Sequence, residues 1–223
     1  MLGSKTRIII HDKVENIKPV SNRVLVKVGK VDNNKSSNGL YLGDSEWDKS
    51  GHLNRRGEVI RLPKKLWFAR EFGFGIQWGT EMEVEEGDVV YFGIMSVYDA
   101  PAIIDDGVVY LLIQYHDLLF SLRGNKVIPL NGYVLIEKVD EKVKQSSLIL
   151  DFNKKQDKKR GIVRYVGKPN SYYDSGMCDS IGFDVGDEVD LMMINFTFLE
   201  DKRYRTFEKN IGYVQRRWIR SVT

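Results

Sequence analysis

Apolar and polar positions alternate along most of this chain in short runs, with the two-residue period of a half-buried strand rather than the period of a helix. Arg23-Val-Leu-Val-Lys-Val28 alternates cleanly. Gly57-Glu-Val-Ile-Arg-Leu62 and Gly87-Asp-Val-Val-Tyr-Phe92 follow, the second introduced by an acidic turn. Asp106-Gly107 separates Ala102-Ile-Ile104 from Val108-Val-Tyr-Leu-Leu-Ile113, a strong hairpin signal because both central positions tolerate positive φ. Gly, Asn, Asp and Pro punctuate the runs, so the pattern predicts an all-β chain.

The same order of elements then recurs. Ile17-Lys-Pro-Val20 has its counterpart in Val127-Ile-Pro-Leu130, and Arg23-Val-Leu-Val-Lys-Val28 in Tyr133-Val-Leu-Ile-Glu-Lys-Val139. Arg56-Gly-Glu-Val59 pairs with Arg160-Gly-Ile-Val163, and Glu86-Gly-Asp-Val89 with Val185-Gly-Asp-Glu188. Each copy closes on an apolar run, ending at Leu122 and at Val222. The spacing between matched landmarks shrinks along the chain, as expected when loops absorb length changes around a fixed core. Two domains are expected, residues 17–123 and 124–223, behind an N-terminal extension of residues 1–16.

Composition adds limits. With 223 residues, 42% hydrophobic and 29% charged, the chain can bury real cores and is not predominantly disordered. No apolar run approaches the roughly 20 residues of a membrane-spanning helix, and the apolar stretch near the start is too short for a secretory signal. A cytoplasmic location is expected, with no membrane partner. Cys178 is the single cysteine, which excludes an internal disulfide. The net charge of +3 is too balanced to imply nucleic acid as a partner, although residues 124–223 are more basic than the rest. The basic run Lys154 to Arg160 and the group Arg216, Arg217 and Arg220 lack the interleaved aromatics of a single-strand binder, so a solvated loop or a salt-bridging contact is expected there.

The ordered landmarks, namely a Pro near the first strand, a Val-rich strand, a polar loop with an apolar triplet, Arg-Gly-Glu-Val and Glu-Gly-Asp-Val-Val-Tyr-Phe, resemble the co-chaperonin (GroES) family. The resemblance covers residues 17–222 and implies two tandem GroES-like, partly open β-barrels. It also implies a function: docking on a chaperonin ring through mobile loops, to assist protein folding. In that family the loop contact is a Gly followed by three apolar residues. Here Ser36-Ser-Asn-Gly-Leu-Tyr-Leu-Gly43 offers Leu40, Tyr41 and Leu42, and Gln145-Ser-Ser-Leu-Ile-Leu-Asp151 offers Leu148, Ile149 and Leu150. The polar surroundings of Leu40–Leu42 cannot bury the triplet locally, which fits a partner-seeking loop. Periodicity by itself also allows both triplets to be strands packed on their own barrels.

Where the family carries a small roof hairpin, this chain has Lys64 to Trp78, with Leu66, Trp67, Phe68, Phe72, Phe74, Ile76 and Trp78. So aromatic a segment is either a second hydrophobic cluster or a subunit contact, and a homo-oligomer is expected. Covalent pairs do not tile a sevenfold ring evenly, which leaves a second reading open: an assembly module, for example of a viral particle, where the chain would sit in the virion. Catalytic chemistry is not expected. His11, His52 and His116 have no metal-ligand spacing, and Gly73-Phe-Gly75-Ile-Gln-Trp-Gly79 lacks the strand-helix-strand setting of a dinucleotide site. Glu81 to Asp88 is expected as a solvated loop face, and no cofactor or metal is expected.

Overall fold

A computed structural model describes residues 9–10, 12–30, 55–66, 81–93, 96–97, 100–140, 156–168, 182–192, 197–198 and 210–222. The strands are β1 (Ile9–Ile10), β2 (Arg23–Lys30), β3 (Arg56–Arg61), β4 (Val89–Phe92), β5 (Ala102–Asp105), β6 (Val108–Gln114) and β7 (Leu118–Arg123). They continue with β8 (Lys126–Pro129), β9 (Tyr133–Asp140), β10 (Gln156–Val166), β11 (Glu188–Leu191), β12 (Thr197–Phe198), β13 (Ile211–Gln215) and β14 (Ile219–Val222). Helix among the described residues is limited to Ser96–Val97 and the 3-10 turns Val14–Asn16, Tyr115–Asp117 and Arg216–Trp218. None of it is long and apolar enough to cross a membrane.

The strands form two open sheets, ordered β1-β5-β6-β2-β3-β4-β7-β8 and β12-β13-β9-β10-β11-β14. All pairings are antiparallel except β1 with β5. The all-β expectation holds, and the series β6-β2-β3-β4-β7 in the first sheet has the same order as β13-β9-β10-β11-β14 in the second. Asp106 and Gly107 both take positive φ, as the hairpin signal requires.

Matched turns use matched bonds. Gly87 and Gly186 sit at φ 91° and 103°, a region that L side chains rarely enter. The N–H of Gly87 donates to the Val59 carbonyl and that of Gly186 to the Val163 carbonyl, each at 2.8 Å. In return the Val59 N–H donates to the Asp88 carbonyl and the Val163 N–H to the Asp187 carbonyl. The following Asp closes each turn, accepting from the N–H of Glu85 (2.9 Å) or Asp184 (2.7 Å). One strand earlier, a Cβ on Gly57 would overlap Val26 and the Lys27 carbonyl, and one on Gly161 would overlap Ile136 and the Glu137 carbonyl. Both glycines let β2 and β9 approach their neighbours.

The described apolar residues form four clusters. One, with Val24, Val26, Val59, Val90, Phe92, Leu111, Ile113 and Tyr115, is the core inside the first sheet. A smaller one, with Val134, Ile136, Val163, Val189 and Leu191, fills the second. A third joins the sheets: Tyr91, Leu119 and Phe120 from the first pack with Leu135 and Ile211 from the second. The fourth lies on the outer side of the first sheet, where Leu25, Ile103 and Leu112 are covered by Ile10, Val14 and Ile17.

Candidate docking site

The two loops singled out by the sequence leave the sheets at equivalent places. Residues 31–55 connect β2 to β3, and residues 141–155 connect β9 to β10. In both halves these are the antiparallel strands that carry the tight glycine, Gly57 or Gly161. The triplets Leu40, Tyr41, Leu42 and Leu148, Ile149, Leu150 lie outside the described residues. So do the aromatic candidates Trp67, Phe68, Phe72, Phe74 and Trp78. Leu66, at the start of that segment, is partly buried against the first core.

What the structure does place is the frame that fixes the two loop bases relative to each other. β7 turns through Gly124 into β8, so Lys126–Pro129, which lies beyond the expected boundary at residue 123, belongs to the first sheet. Leu130 then enters the first core fully buried, and its N–H donates to the Leu119 carbonyl at 2.9 Å. Asn131 follows with positive φ, and its amide Nδ2 donates to the carbonyls of Tyr115 (2.8 Å) and Leu118 (2.9 Å). The Tyr91 and Phe120 rings stack with centroids 4.2 Å apart, and Tyr133 meets Tyr213 edge-on at 5.7 Å. The Arg56 guanidinium lies over the Tyr91 ring at 5.6 Å.

Charged groups tie the same corner. Arg123, at the end of β7, donates through Nε (2.9 Å) and Nη2 (2.8 Å) to the two carboxylate oxygens of Asp88, through Nη1 to Glu85 (2.6 Å), and through Nη2 to the Glu83 carbonyl (3.0 Å). The bond to Asp88 is the main cause of the raised pKa of Arg123. Glu81–Asp88 is therefore not simply a solvated face: Asp88 is only 3% exposed because Arg123 neutralises it. The Tyr115 hydroxyl accepts the Glu83 N–H at 2.8 Å, and burial pushes its pKa up. Burial likewise raises the pKa of Glu83, against a hydrogen bond from the Asn131 backbone.

The basic group in the second half divides. Arg216 is buried and donates through Nη2 to the Gly167 carbonyl at 2.6 Å, whereas Arg220 is exposed, so they do not form one patch. Arg160 pairs with Glu188 at 2.8 Å. His116 lies 3.6 Å from Asp117. No group of acidic, His or Cys side chains among the described residues could hold a metal ion.

The joint was missed from the sequence, yet it left a signal. Leu118-Leu119-Phe120 is apolar at consecutive positions, so both faces of β7 need cover, whereas β14 has the polar pair Arg220-Ser221 at consecutive positions.

Comparison with known proteins agrees with the first half of this frame. The profile of the family described as "Chaperonin 10 Kd subunit" matches residues 16–121. The "Co-chaperonin GroES" of Deinococcus radiodurans is 34% identical over 105 residues, which is 46% of this chain and 95% of that protein. That family is not one of enzymes. A match to nearly the full length of a GroES protein at 34% identity, over a region that the family profile also matches, makes this chain a member of the chaperonin 10 kDa (GroES) family.

Proposed function

We propose that the chain is a tandem co-chaperonin, with one family domain over residues 17–123 and a second, diverged copy over 124–223, behind the extension of residues 1–16. It docks on a chaperonin ring in the cytoplasm through Leu40, Tyr41 and Leu42 in the first loop and Leu148, Ile149 and Leu150 in the second, and so assists protein folding. The observation that carries this reading is the match of residues 16–121 to the chaperonin 10 kDa family, together with 34% identity to a protein named as a co-chaperonin over 95% of that protein's length. The shared strand order of the two sheets and the common strand pair from which each loop springs support the second copy. Chains meet one another through Trp67, Phe68, Phe72, Phe74 and Trp78. An apolar triplet that orders on docking gives up conformational entropy, so each loop binds weakly and the complex depends on several loops together.

Leu40→Asp with Ile149→Asp tests the docking. Co-sedimentation with a chaperonin is expected to be lost while the circular dichroism spectrum and melting temperature stay unchanged, because the charges replace contacts outside either core. Loss of the fold would show that the triplets are packed strands. Unchanged binding would remove the mechanism.

A further inference from the structure

The joint between the halves is head-to-tail, and the shared register shows which surfaces it leaves for a further copy. On the second sheet the receiving seat is Leu135, between Tyr213 and Tyr165, and the inserting group is Tyr91, Leu119 and Phe120 of the first sheet. The equivalent seat on the first sheet is Leu25, between Leu112 and Arg61. The equivalent inserting group on the second sheet is Asp190, Arg220 and Ser221.

Both of these remaining surfaces carry charge where the internal joint is apolar. Ile10, Val14 and Ile17 of the N-terminal arm cover Leu25, Ile103 and Leu112. The arm is held through its main chain. Ile9–Ile10 adds a parallel strand against Ala102–Ile103, and the Val14 N–H donates to Asp105 at 2.9 Å. Arg61 donates through Nη1 to the carbonyls of Val14 (3.2 Å), Glu15 (2.6 Å) and Ile17 (2.8 Å). With its apolar side chains spent on the seat, the arm leaves Asp12, Lys13, Glu15 and Asn16 exposed. Asp12 accepts the Lys13 N–H at 2.7 Å and the Asn16 Nδ2 at 3.0 Å, which fixes the shape of this charged turn. The inserting group has changed in the same sense. Buried Leu119 corresponds to exposed Arg220, and the stacked pair Tyr91–Phe120 to Asp190–Ser221, where the Ser221 hydroxyl donates to Asp190 at 3.2 Å.

We infer that the arm is the docking surface for a second copy of this chain: a copy adding in the register of the internal joint sets its Arg220 against Asp12 and Glu15, and its Asp190 against Lys13. The chain then has two unlike joints, an apolar one built in between its halves and a charged one between chains that forms and parts with ionic strength. The strand edges beside the two surfaces are open to such an addition. Among the described residues nothing pairs with the outer edge of β14, and Val222 is 46% exposed. Val20 is 66% exposed, whereas its counterpart Leu130 is buried in the neighbouring core. Complementary charges at a contact of this kind set register and partner choice more than affinity, and salt screens them. A bare Leu25 seat would instead offer an apolar patch to any partner.

The inference rests on the tandem, self-associating reading, while the chaperonin is absent from its test. Glu15→Arg and Arg220→Glu each reverse one charge and spare the fold, because Arg61 holds the Glu15 carbonyl rather than its carboxylate and Arg220 is exposed. Sedimentation velocity over a concentration series of the full chain reads association, and circular dichroism reads the fold. Either variant alone is expected to associate about tenfold or more weakly than wild type, since like charges then oppose each other. An equimolar mixture of the two is expected to recover association, because the altered arm of one meets the altered edge of the other and the two unaltered surfaces still match. Glu86→Arg, an equal reversal on an exposed turn of the first half, is expected to leave association unchanged.

Association that neither reversal weakens, or that the mixture fails to restore while both variants keep the wild-type spectrum, overturns the inference and leaves self-association through residues 67–78 standing. Equal weakening by Glu86→Arg also overturns it, since net charge and not the arm would then be responsible. A wild type that stays monomeric at high concentration overturns the inference and the self-associating reading together.

Discussion

Phe120→Ala probes the joint most directly. The ring is fully buried, stacks on Tyr91 at 4.2 Å, and packs with Leu135 and Ile211 of the other half. An aromatic side chain removes roughly 200 Å² from water, which at about 25 cal/mol per Å² gives a ceiling of about 5 kcal/mol. Measured truncations of buried Phe fall at about 3–5 kcal/mol, since the cavity collapses only in part. The control is built into the fold. Ser221 holds the corresponding position in β14 and is exposed, so Ser221→Ala is expected to cost about 0.5 kcal/mol or less. Urea unfolding followed by circular dichroism reads both. With a urea m-value of about 2–3 kcal/mol per M for a chain of this size, Phe120→Ala moves the midpoint down by about 1–2.5 M. Because the ring binds the halves to each other, the variant also loses cooperativity and its transition broadens. A midpoint shift no larger than that of Ser221→Ala would refute the claim that the halves form one packed body.

Arg123→Met keeps the aliphatic contact but leaves Asp88 buried with only the Glu85 N–H, and is expected to cost about 2–3 kcal/mol in the same assay, more than any exposed ion pair would. Glu83→Gln works through pH. Burial raises the pKa of the folded carboxyl above its ordinary 4.5, so the wild-type fold loses stability as pH rises through and above that value, while glutamine has no charge to desolvate. The variant is expected to match wild type near pH 4 and to exceed it at pH 7. Equal stability of the two at pH 7 would show that the carboxylate is adequately solvated.

The turns and close approaches that the two halves share were legible because they are backbone requirements. Gly87 and Gly186 are needed for positive φ, Gly57 and Gly161 for space, and Asp106-Gly107 for a tight hairpin, and each of these leaves a residue type that periodicity can place. What covers the outer faces was not legible. Nothing in the local sequence marks Ile10 or Arg123, because covering Leu25 and neutralising Asp88 join residues that are 15 and 35 positions apart. Equivalent residues also diverge in a way that only pairing reveals. Tyr165 and Arg61 share a register position, but one receives a domain and the other holds down an arm.

The joint bears on docking strength. Cores, hairpin and aromatic stack fix the base of residues 31–55 relative to that of 141–155, so the span between the two loop bases is set by packing rather than by a flexible linker. If both triplets dock on one chaperonin ring, the second event is intramolecular, and such linkage strengthens binding by about 10²–10⁴ without any new contact. Leu40→Asp alone and Ile149→Asp alone are then each expected to weaken chaperonin binding by about 100-fold or more, measured by titration with immobilised chaperonin. Single variants that bind as tightly as wild type would show that one triplet carries the contact by itself, and would reduce the second half to a support for the first.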